Sequence, residues 1–171
     1  MYANKFVFLQ LAEIKSKSMK IELTPVGTDE YSRLIEIWEA SVRATHHFLQ
    51  PGDVEFYRSQ LPVYFGVVRL AAARDTAGVI RAFLGTCDGN IEMLFVGPDD
   101  RGRGIGKTLV RYAVERLGCR RVDVNEQNGQ AVGFYEKMGF RETGRSAVDG
   151  EGRPYPILHL ELPDTVGDDA E

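Results

Sequence analysis

The chain has 171 residues, of which 43% are hydrophobic and 10% aromatic, enough for the core of one domain and too few for two full domains. Its formal net charge is −4, and four acidic residues lie in the last nine positions, so the remainder is close to neutral. A near-neutral body excludes a general electrostatic attraction to nucleic acid. Cys87 and Cys119 are isolated and lack metal-ligand spacing, which favours a reducing, cytoplasmic setting over a disulfide framework.

The first 18 residues differ from those that follow. Their apolar run, 6–12, is much shorter than the roughly 20 residues that span a bilayer, and it lacks a small-residue cleavage site. We therefore expect neither a membrane span nor a secretory signal, and no membrane partner. A strand-like run begins just after Met19. Residues 1–18 are thus predicted to be an extension outside the fold, residues 19–162 the domain, and residues 163–171 a disordered acidic tail.

Hydrophobic periodicity and turn residues divide the domain into strands and helices. Strands are predicted over residues 21–26, 63–70, 78–87, 91–96, 121–125, 140–148 and 155–162. Helices are predicted over residues 31–42, 53–60, 105–117 and 129–138, with Thr28 and Asn128 as caps of the first and last. The order is strand, two helices, three strands, helix, strand, helix and two strands. This order predicts an α/β (α+β) domain with a mixed sheet.

A glycine-rich run, residues 101–107, lies between a predicted strand and a predicted helix. Glycines allow close backbone approach, and the first turn of the helix offers unpaired N–H groups, so the run predicts an anion site suited to phosphates. A Walker A loop fails because Arg101 occupies the place of its first glycine. The dinucleotide fingerprint G-x-G-x-x-G fails because Lys107 or Leu109 stands at its last glycine.

The pattern that does match is R-x-x-G-x-G, over residues 101–106. Residues 94–106 resemble the acetyl-CoA motif of the GNAT superfamily of N-acetyltransferases, and residues 128–140 resemble its second motif, N-x-x-A-x-x-F-Y-x-x-x-G-F. A weaker likeness extends over residues 19–162. Three short segments are similar to a subgroup of small bacterial members: residues 44–49, 124–128 and 143–146. The resemblance implies the GNAT fold, a mostly antiparallel sheet of six or seven strands flanked by about four helices.

The resemblance further implies that acetyl-CoA is the co-substrate and that an amine is the acceptor. Backbone amides of the glycine run would hold the pyrophosphate, and N–H groups near residues 94–96 would polarise the thioester carbonyl. The implied cofactor-binding residues are Leu94, Phe95, Val96, Arg101, Gly102, Arg103, Gly104, Ile105, Gly106, Lys107, Asn125, Asn128, Phe134 and Tyr135. For each, packing, capping or solvation is the alternative explanation.

Acetyl transfer to an amine also needs proton transfer. An amine with a pKa near 10.4 is neutral only about once in 2,500 molecules at pH 7, so a base should help. Glu92 is the candidate, because strict alternation would place it on the same strand face as Leu94 and Val96. The alternative is a solvent-facing carboxylate. For the acid, the resemblance indicates Tyr135, whose phenol would protonate the departing thiolate; simple core packing is the alternative.

Four further residues are expected to shape the acceptor pocket: His46, His47, Phe48 and Tyr155. Adjacent histidines point in different directions and no third ligand has suitable spacing, so we predict no metal. Neither cysteine occupies a nucleophile position, which favours direct attack of a primary amine in a ternary complex. The acceptor, a small molecule or a protein, and homodimer formation are left open. The alternative function is a non-catalytic module that binds or senses acyl-CoA on the same fold.

Overall fold

The computed structural model describes residues 19–164 and the two-residue strand Ile14–Lys15. The strands are β1 (Ile14–Lys15), β2 (Lys20–Pro25), β3 (Arg69–Arg74), β4 (Ile80–Cys87), β5 (Asn90–Val96), β6 (Arg121–Asn125), β7 (Arg141–Ser146) and β8 (Ile157–Glu161). The helices are α1 (Tyr31–Thr45), α2 (Pro51–Val67), α3 (Ile105–Leu117) and α4 (Gly129–Lys137). Within these described ranges, no helix is long and apolar enough to cross a membrane.

The strands form one sheet in the order β1-β2-β3-β4-β5-β6-β8-β7. Every neighbouring pair is antiparallel except β5 and β6, which are parallel. The predicted mixed, mostly antiparallel sheet with four helices is therefore confirmed. Seven strands lie within residues 19–164, and β1 adds a short edge strand from the segment predicted to be an extension. The rest of that extension, and residues 165–171 of the predicted acidic tail, lie outside the described residues.

Two hydrophobic clusters hold the helices on opposite faces of the sheet. On one face, Ile105 and Leu109 of α3 and Tyr135 of α4 pack against a cluster that extends from β2 to β8. On the other, Leu34 of α1 and Phe65 of α2 pack on β3 and β4. Each fully buried side chain of this size contributes about 1.5–3 kcal/mol by leaving water. The second cluster does not include residues of β6 or β8, so this face of the C-terminal strands is not covered by α1 and α2.

Helix α2 corrects the strand predicted over residues 63–70. The helix continues to Val67, and β3 begins only at Arg69. Leu61 and Phe65, one helical turn apart, are both buried, whereas Val63 is 64% exposed. The β-branched and aromatic residues of this run favour a strand locally, but the contact of one helical face with the core decides the outcome.

The helix ends agree with the sequence in most places. The side chain of Asn128 accepts a hydrogen bond from the backbone N–H of Ala131 at 3.3 Å, so Asn128 caps α4 as predicted. Helix α3 ends at Gly118, whose positive φ of 69° suits glycine. Thr28 is not the cap of α1, because it lies inside a short 3₁₀ turn that precedes the helix. The helix itself starts at Tyr31, the residue predicted from the sequence.

The connection between β7 and β8 is fastened to the start of α2 by Asp53. This carboxylate is only 7% exposed and accepts hydrogen bonds from the guanidinium of Arg153 and the hydroxyl of Tyr155. It also accepts a bond from the backbone N–H of Gln50 at 3.3 Å, which caps α2. The guanidinium of Arg153 lies 3.8 Å from the centre of the Phe56 ring. We call Asp53, Arg153 and Tyr155 the clasp.

Replacing Asp53 by alanine should lower the free energy of unfolding by about 2–4 kcal/mol, because it removes a helix cap and leaves a partly buried guanidinium without its partner. Urea unfolding followed by circular dichroism measures the change. Glu55→Ala, in the same helix but exposed, is the matched control and should change the value by less than about 0.5 kcal/mol. Equal effects of the two substitutions would contradict a stabilising role of the clasp.

Candidate active site

Strands β5 and β6 separate soon after they meet. Their parallel pairing comprises Asn90 with Arg121 and Ile91 with Val122, and it stops there. Residues 94–96 remain paired with β4 on their other side. Their main-chain groups that face β6 therefore have no strand partner. Such groups are available to a ligand that enters between the two strands.

A groove of about 410 Å³ occupies this opening. It is lined by all the predicted cofactor-binding residues except Arg103 and Asn125. The end of α1 also contributes to its wall, through Ser41, Thr45 and His46. Ser41 and Thr45 were not predicted, because no local pattern shows that α1 ends beside the glycine run.

One end of the groove is the glycine run at the start of α3. Gly102 and Gly104 have φ values of 73° and 82°, a left-handed backbone that other residues adopt only with strain. Gly104 is the N-cap of α3, and Ile105, the first helical residue, is buried and anchors the helix. The free N–H groups of the first turn therefore lie beside the groove, where the positive end of the helix dipole favours an anion.

The basic residues of this run have different positions. The guanidinium of Arg101 donates to the hydroxyl of Ser41 at 2.8 Å and thereby joins the glycine run to α1. Arg103 pairs with Asp100 at 3.0 Å and does not line the groove. Lys107 is exposed and does line it. Of these three side chains, Lys107 is therefore the best placed to contact a phosphate group in the groove.

Tyr135 lies in the wall of the groove, near the separated strands. The residue is 6% exposed, and its ring packs between those of Phe134 and Phe140, with centroids at 5.1 and 5.6 Å. Among the described residues, no group forms a hydrogen bond with its hydroxyl. Burial raises the pKa of Tyr135, so the phenol keeps its proton at neutral pH. The ring of Tyr135 therefore packs in the core, while its hydroxyl is open to the groove.

A second cavity, of about 230 Å³, lies on the other side of β5, between α1, α2 and the β7–β8 connection. We call it the aromatic cavity. Its aromatic lining residues are Trp38, Tyr57, Tyr64, Phe95 and Tyr155, and its polar ones include His46, Glu92, Asn125 and Asp149. Asn125, predicted to face the cofactor, lies here and not in the groove. The clasp holds Tyr155 in this wall.

The expected face of Glu92 is wrong. In the pairing of β4 with β5, Gly85 lies opposite Met93 and Thr86 opposite Ile91, so Glu92 is the additional residue of a β-bulge. The bulge shifts the alternation, which puts Met93 on the α1/α2 side of the sheet. Glu92 is exposed, accepts a hydrogen bond from the Asn90 side chain at 2.8 Å and lines the aromatic cavity. Its assignment as a base stays a prediction.

The other residues predicted for the acceptor side are only partly brought together. His46 lines both the groove and the aromatic cavity, and Tyr155 lines the cavity. The ring of Phe48 lies between them, 5.2 Å from His46 and 5.9 Å from Tyr155, but lines neither space. His47 is exposed and also lines neither. Over the described part of the chain, no group of three His, Cys, Asp or Glu residues is placed to hold a metal ion.

The uncovered face of β6 and β8 carries a separate polar depression of about 380 Å³. Its lining includes Asp123, Glu161 and His159, and Glu92 borders it on the side of the aromatic cavity. The imidazole of His159 contacts Asp123 at 2.6 Å and Ser146 at 2.7 Å. These contacts give the side chains of His159, Asp123 and Ser146 hydrogen-bond partners on a sheet face that α1 and α2 do not cover.

Comparison with known proteins gives consistent results. A family model described as an acetyltransferase (GNAT) domain matches residues 37–153. The peptidyl-lysine N-acetyltransferase YjaB of Salmonella typhimurium is 41% identical over 149 residues, covering 85% of this chain and 100% of that relative. The Escherichia coli protein of the same name is 40% identical, covering 83% and 97%. No relative among these supports the non-catalytic alternative.

Solved structures agree on the fold. The solution structure of apo-form YjaB from Escherichia coli has a TM-score of 0.77 and 36% identity, covering 83% of this chain and 97% of that one. The PaiA N-acetyltransferase of Thermoplasma acidophilum, solved in complex with coenzyme A, has a TM-score of 0.65 and 21% identity, covering 84% and 100%. At that identity, the second likeness concerns the fold alone.

Replacing Gly104 by alanine should lower the free energy of unfolding by about 1–2 kcal/mol, because its left-handed backbone strains a residue with a side chain. Gly133→Ala is the matched control. That glycine is inside α4, and a methyl group there would meet no atom within 4 Å. The control should stabilise the protein by about 0.5–1 kcal/mol. Chemical unfolding of both variants measures the difference, and a stabilising effect at Gly104 would contradict the assigned conformation.

Proposed function

Since the chain belongs to the GNAT family and is an N-acetyltransferase that acts on an amine, we propose that it transfers the acetyl group of acetyl-CoA to the side-chain amine of lysine in proteins or peptides. The observation that carries the proposal is the hydroxyl of Tyr135. It opens into a groove that begins at a glycine-rich helix start, and its proton has no partner among the described residues.

The residues of the groove fit acetyl-CoA from end to end. The amides at Gly104 and the following turn of α3 would hold the pyrophosphate, with Lys107 as the nearby cation. The unpaired main-chain groups of residues 94–96 would bind the pantetheine arm and polarise the thioester carbonyl. The hydroxyl of Tyr135, which is open to the groove, gains a hydrogen-bond partner when a sulfur atom lies beside it.

Acetyl transfer requires that the amine nitrogen lose one proton and that the departing sulfur gain one. The amine nitrogen forms a bond to the acetyl carbon while the carbon–sulfur bond breaks. Tyr135 would give its proton to the sulfur, since its phenol is protonated at neutral pH before the carbon–sulfur bond breaks. Glu92 would accept the proton from nitrogen, directly or through water, at the mouth of the aromatic cavity. No covalent acetyl-enzyme is required.

The aromatic cavity suits a lysine side chain. Its volume of about 230 Å³ and its aromatic walls match an aliphatic chain that ends in a cationic group. Two carboxylates line it, Glu92 and Asp149, and the hydroxyl of Tyr57 donates to Asp149. These charges attract an ammonium group before it loses its proton. The names of the YjaB relatives support the same acceptor class for this chain.

Tyr135→Phe should lower kcat for a lysine peptide by about 10²–10³-fold, because the thiolate loses its proton donor while the ring still fills its place. Release of free thiol from acetyl-CoA gives the rate, and mass spectrometry of the peptide locates the acetyl group. Tyr112→Phe, at another buried tyrosine that lines no part of the groove, is the matched control and should act like the parent.

The same assay tests the acceptor class. A peptide with a blocked N-terminus and one lysine should be acetylated, whereas the peptide with acetyl-lysine in its place should not. Transfer to spermidine or free amino acids with no transfer to the lysine peptide would overturn the proposed acceptor. Full activity of Tyr135→Phe would overturn its role as the acid.

Glu92→Gln should lower kcat/KM for the lysine peptide by about 10–100-fold, a modest effect for a general base because the carboxylate is exposed and can be partly replaced by water. Glu161→Gln is the control, since Glu161 lines the polar depression but neither the groove nor the aromatic cavity. Parent-like activity of Glu92→Gln would show that the proton leaves by another route.

A further inference from the structure

His46 lies where the groove and the aromatic cavity meet. Only His46 and Phe95 line both spaces among the described residues, and of these two only His46 has a polar side chain. Its position is fixed by the end of α1, since its backbone N–H donates to Val42 at 2.7 Å and its carbonyl accepts from Leu49 at 3.1 Å. A thioester held in the groove and an amine held in the cavity would meet beside this imidazole.

The contacts of His46 indicate which ring nitrogen carries the proton. The hydroxyl of Thr45 donates its only hydrogen to the carbonyl of Ser41, one helical turn earlier, at 2.8 Å. The same hydroxyl oxygen lies 2.8 Å from Nδ1 of His46. A Thr45 hydroxyl that donates to Ser41 has no second hydrogen to give, and Nδ1 is then the donor. We therefore assign to the neutral imidazole the tautomer with a free lone pair on Nε2.

The imidazole is neutral at physiological pH. Burial lowers the pKa of His46 to about 4, and the nearby charges of Arg101 and His47 lower it further in the same direction. An ammonium with a pKa near 10.4 holds its proton about a million times more tightly than such an imidazole. His46 is thus too weak a base to remove the proton of a lysine ammonium. It remains available as a hydrogen-bond acceptor.

We propose that Nε2 of His46 accepts a hydrogen bond from the neutral amine nucleophile and so turns the amine lone pair toward the thioester carbonyl. This role rests on the proposed function and adds a residue to it. Glu92 or water removes the proton, Tyr135 supplies one to sulfur, and His46 orients the nitrogen between them. A misdirected lone pair slows the attack even when the amine is bound.

Two substitutions at His46 distinguish a role in orienting the amine from a role in packing alone. His46→Asn keeps a donor near the place of Nδ1 but has no acceptor near that of Nε2, whereas His46→Gln can present an amide oxygen there. We expect kcat/KM for the lysine peptide to fall about 10–100-fold in His46→Asn, mainly through kcat, and to recover to within about fivefold of the parent in His46→Gln. His47→Asn is the adjacent control and should act like the parent.

The outcomes distinguish this role from the function on which it rests. Parent-like kcat/KM in His46→Asn, or equal losses in the Asn and Gln variants, would overturn the role of His46. If Tyr135→Phe is impaired in the same assay, the proposed function still stands. A parent that transfers acetyl to no amine would overturn both. Nitrogen NMR of the imidazole gives an independent test, since a proton found on Nε2 at neutral pH would also overturn the role.

Discussion

The site depends on the separation of β5 from β6. The two strands pair only at Asn90 with Arg121 and Ile91 with Val122, so one edge of β5 beyond this point lies in a groove and not in a ladder. The groove has the glycine turn of α3 at one end and Tyr135 of α4 in its wall. A fully paired sheet would satisfy the same main-chain groups internally and leave no space for a ligand. The fold thus retains unpaired backbone groups where a ligand can supply the partners.

Much of the fold and of the groove could be predicted because both are encoded by local patterns. Glycines at positions 102 and 104 are needed by a left-handed backbone, and Asn128 caps α4 through its own side chain. Alternating apolar residues place Leu158 and Leu160 in the core. Each of these signals acts within a few residues. Their order along the chain was sufficient to indicate the family, the succession of most strands and helices, and most of the residues of the groove.

The remainder could not be predicted because it depends on contacts between distant segments. The bulge at Glu92 arises from the pairing of β4 with β5, and strict alternation gave the wrong face. The end of α2 is decided by Leu61 and Phe65 in the core, against a strand-like local composition. Ser41 lies in the groove beside the glycine run, where its hydroxyl accepts a hydrogen bond from Arg101, 60 residues further along the chain. The aromatic cavity was hardest to foresee, since its walls come from α1, α2, β5 and the β7–β8 connection.

The groove and the aromatic cavity are completed by separate parts of the chain. Every residue that lines the groove precedes position 136, whereas the aromatic cavity is completed by Asp149, Tyr155 and Ile157. During synthesis from the N-terminus, all the residues of the groove therefore leave the ribosome before the aromatic cavity is complete. In evolution, exchange of the C-terminal hairpin would bring a new wall to the aromatic cavity without altering any residue of the groove. Under the proposed function, this division of the sequence lets amine specificity diversify on a constant coenzyme site.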